Sequence, residues 1–496
     1  MGRAGIFALW ILVLIFSLFS SLLPFSVGFN GQRWLLVGMT ALIVLSYCMS
    51  RTLGLNFTKI AVPSPDFVHL KVVTLLLVSA LLSALVSFFW SPMPLYSVVQ
   101  LMLDAFYVLS IASLSAFINS VDCCSVGHKK MAMQTWFLDS AVLAIFIYTV
   151  LGGMGVVFWY SLGIGSFVDY LPWGFYNMRL WSHCATWLLP VAATAIALRS
   201  PFWGKWCSAA ALSGLSFWWF LVLGSSARGT VLAVFLSGLL IWMVAPSNLT
   251  RLLLGAQIKG FLGGAVLWGV LIQLIPALLF SDIKGGDLIR LGDSGRVDLW
   301  LMAFDMSLIK FPFGLGPLSY AKLSGDQVFA SPHGSILLWA AEYGWLTVLL
   351  FVICVASIFQ QFFRTIRKLT SSHDNNLFLV GLGWSLIAAL GHSLVSGVFS
   401  APASMLIGLV CTAFFLVSLN DAQTSLNHKV LKRSGNTSWL IFVKWTALAV
   451  CGWAVAFHLS FTYEFWKEMK ADLPVFLAEE HQPLGPRFWL HGQFPR

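Results

Sequence analysis

The sequence predicts an all-α membrane protein, a polytopic helical bundle of about 12–13 transmembrane helices. Two observations predict this class. The 496 residues are 59% hydrophobic and only 10% charged, whereas a soluble domain usually carries about a quarter charged residues. Apolar runs of roughly 20 residues, the length that crosses a bilayer, also recur along nearly the whole chain.

Thirteen such runs occur, and the first follows Arg3. It is interpreted as a span, because no small-residue cleavage site of a signal peptide follows it. The approximate limits are 5–25, 34–50, 70–90, 95–117, 136–158, 181–199, 208–224, 227–246, 260–280, 333–357, 377–397, 402–420 and 438–461. We expect residues 1–461 to form the bundle and residues 462–496 to form a tail on its outer side.

The basic residues orient the bundle. Lys and Arg are concentrated in alternate loops, which is typical of the cytoplasmic loops of membrane proteins. With a cytoplasmic N-terminus, these residues are Arg51, Lys59, Lys71, Lys129, Lys130, Arg199, Lys205, Arg251, Lys259, Arg364, Arg367, Lys368, Lys429, Lys432 and Arg433. The net charge of +10 therefore reflects orientation, and we expect no nucleic-acid partner.

One outer loop is long and lies between the ninth and tenth spans, at residues 281–332. Its sequence is not of low complexity. It contains an amphipathic stretch, Val297–Ile309, which we expect to be capped by Asp293 or Ser294 and ended by Pro312. Long loops in compact folds are usually functional or disordered, and this pattern favours a structured element on the outer face.

Four arginines break the orientation pattern, because they are predicted on the outer side: Arg179, Arg228, Arg290 and Arg296. A charge at membrane depth is expensive and is by default a functional hypothesis. Guanidinium groups can clamp phosphate oxygens in a bidentate manner. The alternatives are contact with lipid headgroups or, for Arg296, an ion pair with Asp293 or Asp298.

Histidine is the side chain best suited to accept a proton near neutral pH, and His333 lies where the long loop returns to the membrane. Its alternative role is that of an ordinary interfacial residue. His183, His392 and Glu342, with Arg179, are candidates for the same substrate cavity. The alternative is packing or hydrogen bonding for His392 and Glu342, and contact with the polar layer of the membrane for Arg179 and His183. We expect no metal site and no cofactor; a cation held by Asp293 and Asp298 ranks below charge pairing.

Four short motifs follow one another between residues 224 and 402. They are Ser226-Ala227-Arg228-Gly229, then Ser294-Gly295-Arg296 with Trp300, then Gly314-Leu315-Gly316-Pro317, then His333-Gly334 with Gly344 and Thr347. In this order and membrane placement they resemble the motifs of bacterial O-antigen ligases. That superfamily also includes Wzy-type polysaccharide polymerases and O-oligosaccharyltransferases that glycosylate pilins.

The resemblance implies an inner-membrane glycosyltransferase that works at the periplasmic face. Its donor is a glycan on undecaprenyl pyrophosphate, and its acceptor is a hydroxyl of lipid A-core, of a growing glycan or of a pilin. The resemblance implies that Arg228, Arg296 and Arg290 contact the pyrophosphate and that His333 activates the acceptor. It further implies a catalytic loop at residues 281–332, no metal requirement and inversion at the anomeric carbon.

Two alternatives concern the class and the branch. A polysaccharide or lipid transporter is expected to show inverted repeats and charges near the bilayer midplane. The chain shows no repeat, and Asp104 and Asp139 are its main mid-span charges. Typical ligases have twelve spans, so thirteen spans and an outer tail lean towards the polymerase or pilin branch.

Overall fold

A computed structural model of the chain describes residues 3–19, 28–52, 67–122, 128–162, 175, 178–199, 203–279, 295–324, 330–369, 374–427 and 439–478. These residues are almost entirely helical, and none of them forms a strand. The predicted all-α class is therefore confirmed for the described part of the chain.

The helices are numbered here in chain order. They are α1 (Arg3–Leu18), α2 (Gly28–Thr52), α3 (Phe67–Phe88), α4 (Pro94–Asp122), α5 (His128–Leu162), α6 (Met178–Arg199), α7 (Lys205–Gly224), α8 (Arg228–Val244), α9 (Ser247–Trp268, continued by a π-helical turn Gly269–Leu274 and by Ile275–Leu279), α10 (Arg296–Ile309), α11 (Ser319–Leu323), α12 (Ser335–Arg367), α13 (Asp374–Ser393), α14 (Pro402–Asn427) and α15 (Trp439–Ala478).

Within these residues, nine helices are long and apolar enough to cross a membrane. Three shorter apolar helices accompany them, in α1, α3 and α8. The protein is thus a multi-pass membrane protein, and each of the thirteen predicted spans coincides with one helix. The last helix, α15, is not among the nine. It has 40 residues, so at about 1.5 Å per residue it is roughly twice as long as a bilayer core is thick.

Several helices extend beyond the predicted spans: α5 begins at His128 rather than at residue 136, α12 ends at Arg367 rather than at 357, and α15 ends at Ala478 rather than at 461. Helix α9 begins at Ser247, well before the predicted limit at residue 260, so Arg251 and Lys259 lie on a helix rather than in a loop. Hydropathy marks only the apolar part of a helix, whereas backbone hydrogen bonding continues into the polar layer. Helix α1 ends at Leu18, before the predicted limit at residue 25, and residues 20–27 lie outside the described part.

Helices α6, α13 and α14 form the centre of the bundle. Trp187 of α6 is fully buried and joins the other two. Its indole Nε1–H donates to Ser404 Oγ of α14 at 3.1 Å, and its carbonyl accepts from Ser385 Oγ of α13 at 2.7 Å. Polar contacts between apolar helices of this kind fix the register of helices that lipid alone would not bring together.

Glycines allow α7 and α9 to pack closely. A Cβ on Gly260 would lie 2.6 Å from Leu215 Cδ2, and a Cβ on Gly264 would lie 2.7 Å from the Ser216 carbonyl oxygen. Small residues at helix interfaces let backbones approach each other in a membrane. Helices α7 and α9 both contact α8, which begins with Arg228.

Helix α12 is broken at Gly344, whose φ of 84° and ψ of 162° are not helical. The break takes away the usual partners of two carbonyl groups, those of Ala341 and Glu342. The amide N–H of Leu315 donates to the Ala341 carbonyl at 2.9 Å, and that of Gly316 donates to the Glu342 carbonyl at 2.8 Å. The backbone of the turn after α10 is therefore inserted into the break.

The insertion requires glycine on both sides. A Cβ on Gly314, whose φ is 74°, would lie 2.5 Å from the Gly344 nitrogen, and a Cβ on Gly344 would overlap the backbone of Pro312 and Phe313. The amide of Leu346 closes the contact by donating to the Pro312 carbonyl at 3.2 Å. Helix α10 is thereby fixed against α12, next to His333.

Candidate functional site

Three arginines lie at the first turns of three helices. Arg179 is the second residue of α6, Arg228 the first of α8 and Arg296 the first of α10. His333 precedes the N-cap residue of α12, Gly334. Arg179 and Arg228 are exposed, whereas Arg296 and His333 are half-buried. The four residues come from distant parts of the sequence, and the contacts below bring them together.

Arg179 contacts His333 directly. Its Nη1 lies 3.5 Å from His333 Nε2, at the outer limit of a hydrogen bond. A guanidinium group can only donate, so His333 Nε2 is the acceptor in this contact and carries the lone pair. That nitrogen is the atom of the ring that can take a proton.

The other arginines are close enough to act on the same groups. Burial, together with the charges of Arg179 and Arg296, lowers the pKa of His333 from 6.5 to about 4. Burial also lowers the pKa of the Arg296 guanidinium, with the charges of Arg179 and Arg228 contributing. The site therefore concentrates positive charge around a neutral imidazole.

Arg296 is incompletely hydrogen-bonded. Its Nη1 donates to the Val395 carbonyl at 3.3 Å, while its buried Nε has no partner among the described residues. No ion pair joins it to Asp298, which excludes that predicted alternative; Asp293 lies outside the described part. One hydrogen bond to a backbone carbonyl therefore holds the Arg296 guanidinium, and its Nε–H has no acceptor in the part of the chain that the structure describes.

Two further buried donors lie beside it. Trp300 Nε1 and Ser335 Oγ have no hydrogen-bond partner among the described residues. The Trp300 nitrogen lies 3.4 Å from where a Cβ on Gly334 would be, and Ser335 is 2% exposed. Buried donors without partners are rare in native proteins and call for an explanation. Trp300 Nε1 and Ser335 Oγ are two of eleven such atoms among the described residues, so they do not by themselves mark a ligand site.

The backbone is strained at two of the predicted motifs. Ser226 and His333 adopt φ values of 51° and 55°, in the left-handed region that disfavours residues other than glycine. Such residues cost on the order of 1–3 kcal/mol each and cluster at functional sites, where the surrounding structure imposes them. The strain falls two residues before Arg228 and at His333 itself.

His183 and His392 lie directly behind this cluster, with 3% and 4% of their surface exposed. His183 Nε2 lies 2.7 Å from Ser396 Oγ, and His392 Nδ1 lies 2.7 Å from Thr186 Oγ1. The two ring centroids are 5.3 Å apart. Both residues therefore adjoin the site, but as buried hydrogen-bonding groups.

The structure places the remaining candidates elsewhere. Glu342 is fully buried and accepts a hydrogen bond from the Tyr320 amide at 3.1 Å, next to the break in α12. Arg290 lies outside the described residues. The expected cap of α10 at Asp293 or Ser294 is wrong, because the N-cap residue is Gly295, with a φ of 70° and no side-chain cap. A glycine reaches this conformation without a Cβ clash.

The two mid-span carboxylates have their own partners. Asp139 forms a bidentate ion pair with Arg199, with contacts of 3.0 and 3.2 Å. Asp104 accepts from Gln100 at 2.8 Å and from Tyr343 at 2.5 Å. Both are side-chain contacts that hold helices, α5 to α6 and α4 to α12.

Three residues of the site were not predicted: Thr186, Ser335 and Ser396. Trp300 was named as a position of the second motif, but without a role. One signal for Thr186 was present in the sequence, since Arg179, His183 and Thr186 are spaced i, i+4 and i+7 along one helical face. Ser335 and Ser396 are recognised only from the packing of the helices.

Among the described residues, no group of three His, Cys, Asp or Glu side chains is placed to hold a metal ion. The chain matches no protein-family model and no curated protein.

Proposed function

We propose that the protein is a metal-independent, inverting glycosyltransferase of the O-antigen ligase type. It would take a glycan from undecaprenyl pyrophosphate at the periplasmic face of the bacterial inner membrane. One observation carries the proposal: Arg179, Arg228 and Arg296 occupy the first turns of three helices, Arg179 contacts His333, and the charges of Arg179 and Arg228 act on Arg296.

This placement opposes the helix dipoles. A helix N-terminus carries about half a positive charge, so an arginine there is disfavoured and an anion is favoured. Burial and the charges of Arg179 and Arg228 lower the pKa of Arg296. Three arginines at three such helix ends therefore form a site that a polyanion would stabilise. Helix N-termini and guanidinium groups are both established phosphate-binding elements.

The pyrophosphate of the donor fits this site. As its bond to the anomeric carbon breaks, negative charge grows on the leaving oxygen, where fixed cations lower the barrier. Each preorganised donor of this kind contributes roughly 2–4 kcal/mol.

The acceptor hydroxyl attacks the anomeric carbon as the bond to the pyrophosphate oxygen breaks. The hydroxyl proton passes to His333 Nε2, and the pyrophosphate leaves on the polyprenyl carrier. One displacement gives inversion at that carbon. Because a guanidinium binds a charged oxygen more strongly than a neutral imidazole, the pyrophosphate would draw Arg179 away from His333 and free the lone pair.

The same site would serve other acceptors. The leading acceptor is lipid A-core, and a growing glycan or a pilin is the second candidate. Helix α15 favours that second candidate, because it coincides with the thirteenth predicted span and typical ligases have twelve. The glycoconjugate that a deletion strain loses separates the branches: lipopolysaccharide ladder, polymer length or pilin mass.

A complementation assay for glycan transfer tests the proposal. Arg228→Ala and His333→Ala should each abolish transfer, whereas Arg251→Ala, an exposed arginine on α9, should restore it fully. Full activity in both site variants would refute the mechanism. Wild-type protein that moves lipid-linked glycan across liposomes without transferring sugar would favour the transporter alternative.

A further inference from the structure

Two hydrogen bonds link α6 and the end of α13 reciprocally. His183 of α6 binds Ser396, which follows α13, and His392 of α13 binds Thr186 of α6. Both bonds are 2.7 Å long, and both rings are at least nine-tenths buried. These four residues are called the histidine clasp below.

The histidine clasp lies next to the backbone segments that position the three arginines. Gly229, next to Arg228, packs on the His392 ring so closely that a Cβ there would lie 2.7 Å from Nε2. The Val395 carbonyl, which holds Arg296, lies between the clasp residues His392 and Ser396. Arg179 lies one helical turn before His183 on α6.

Thr186 extends the clasp to α8. Its Oγ1 lies 3.2 Å from Thr230 Oγ1, and Thr230 Oγ1 donates to the Ser182 carbonyl at 3.2 Å. The N-terminal turn of α8 is thereby joined to α6 through hydroxyl groups. The backbone next to Arg228 and the carbonyl that binds Arg296 are therefore both positioned by the four side chains of the histidine clasp.

We propose that His183 and His392 are positioning residues that set the spacing of the three arginines for the pyrophosphate, and that neither carries the proton of the reaction. The inference rests on the function proposed above. Since less than a twentieth of each residue is exposed, neither reaches a substrate in this conformation. Their effect is transmitted through Gly229 and Val395.

Matched substitutions separate positioning from proton transfer. Asn in place of His392 keeps a polar atom near the Nδ1 position, and Gln in place of His183 keeps one near Nε2, but neither amide titrates. We expect His392→Asn and His183→Gln to retain wild-type kcat and donor KM within about threefold. His392→Leu and His183→Leu should raise donor KM by roughly 10- to 100-fold, the effect of misplaced binding groups.

A buried histidine outside the clasp serves as the control. His458 of α15 is fully buried and stacks on Phe106 at 5.3 Å. His458→Leu should leave donor KM unchanged. Should a leucine variant fail to fold, Thr186→Val and Ser396→Ala, which remove the partner hydroxyls, should reproduce the rise in KM.

Binding of undecaprenyl pyrophosphate to the purified full-length protein provides the second readout. If the arginine variants lose binding while the leucine variants of the clasp keep it, the clasp proposal is wrong and the proposed function stands. If His392→Asn loses as much activity as His392→Leu, a polar atom at the Nδ1 position is not sufficient, and the positioning role of His392 is also rejected. If wild-type protein and arginine variants bind undecaprenyl pyrophosphate equally, the proposed function itself fails.

Discussion

The guanidinium of Arg179 lies 3.5 Å from Nε2 of His333, although 154 residues separate the two in sequence. The contact joins the start of α6 to the residue before the N-cap of α12. It places a cation against the Nε2 lone pair of His333, the residue proposed to accept the proton of the acceptor hydroxyl. In the proposed mechanism, the bound pyrophosphate draws Arg179 away from His333, and His333 Nε2 can then accept the proton of the acceptor hydroxyl.

The pH dependence of transfer tests that contact. His333 is neutral above its pKa of about 4, so kcat/KM should fall only as the pH drops through that value. The pKa seen in kcat should be higher, because a bound pyrophosphate offsets the charges of Arg179 and Arg296. Rate profiles of purified protein measure both values.

Removal of Arg179 should move the acid limb. Arg179→Gln takes away a charge that lowers the pKa of His333. The pH at which kcat/KM begins to fall on the acid side should therefore shift upwards, towards 6.5. Arg251→Gln, on an exposed face of α9, should not shift it. A wild-type limb already near 6.5, or no shift in Arg179→Gln, would show that the contact does not act on His333.

His333→Ala should lower kcat roughly 10²- to 10⁴-fold, the usual contribution of a positioned base. Binding of undecaprenyl pyrophosphate should change little, because the arginines supply the affinity. Single-turnover rates and binding isotherms check the two quantities separately. Loss of binding without loss of the single-turnover rate would assign His333 to the binding site.

Arg296 should not be replaceable by lysine. A guanidinium donates in a fixed fork, and Nη1 of Arg296 donates to the Val395 carbonyl. A lysine ammonium cannot reproduce both this contact and a bidentate contact to a phosphate. We expect Arg296→Lys to lose roughly tenfold or more in kcat/KM and Arg296→Ala to lose more, at about 2–4 kcal/mol per donor. Steady-state kinetics with the lipid-linked donor measure the difference, and equal activity of Arg296→Lys and wild type would reject bidentate binding.

Gly344→Ala tests the inserted turn. A Cβ at this position would overlap the Pro312 and Phe313 backbone and would impose a φ of 84° on alanine. We expect thermal stability to fall by several degrees or more and folded protein to be scarce, since such overlap displaces α10 from α12. Gly255→Ala, where a Cβ meets nothing within 4 Å, is the control and should retain stability. A stable Gly344→Ala variant would show that the break is not required.

Much of the helical plan could be predicted from the sequence, because the need for about 20 apolar residues per span is a strong constraint. The amphipathic helix α10 was also predicted, since its period and Pro312 are local signals. The ends of the helices could not be predicted from hydropathy, as α9 shows, because a helix continues past the lipid boundary that hydropathy detects.

The candidate site was predicted only in part. Arg179, Arg228, Arg296 and His333 stand out because charge is rare at membrane depth. Their convergence, and the clasp of His183 with Ser396 and of His392 with Thr186, depend on packing between distant helices. The role of Glu342 was open for the same reason, as its amide partner, on Tyr320, is 22 residues away in sequence.

The most direct test is transfer by purified protein in liposomes with EDTA present. The donor is an undecaprenyl-pyrophosphate-linked glycan, and lipid A-core, a second lipid-linked glycan and pilin are each supplied as acceptor. We expect transfer to one of the three, with inverted anomeric configuration by NMR, and its loss in His333→Ala. Transfer by His333→Ala at the wild-type rate, or no transfer to any acceptor by wild-type protein that binds the donor, would contradict the proposed function.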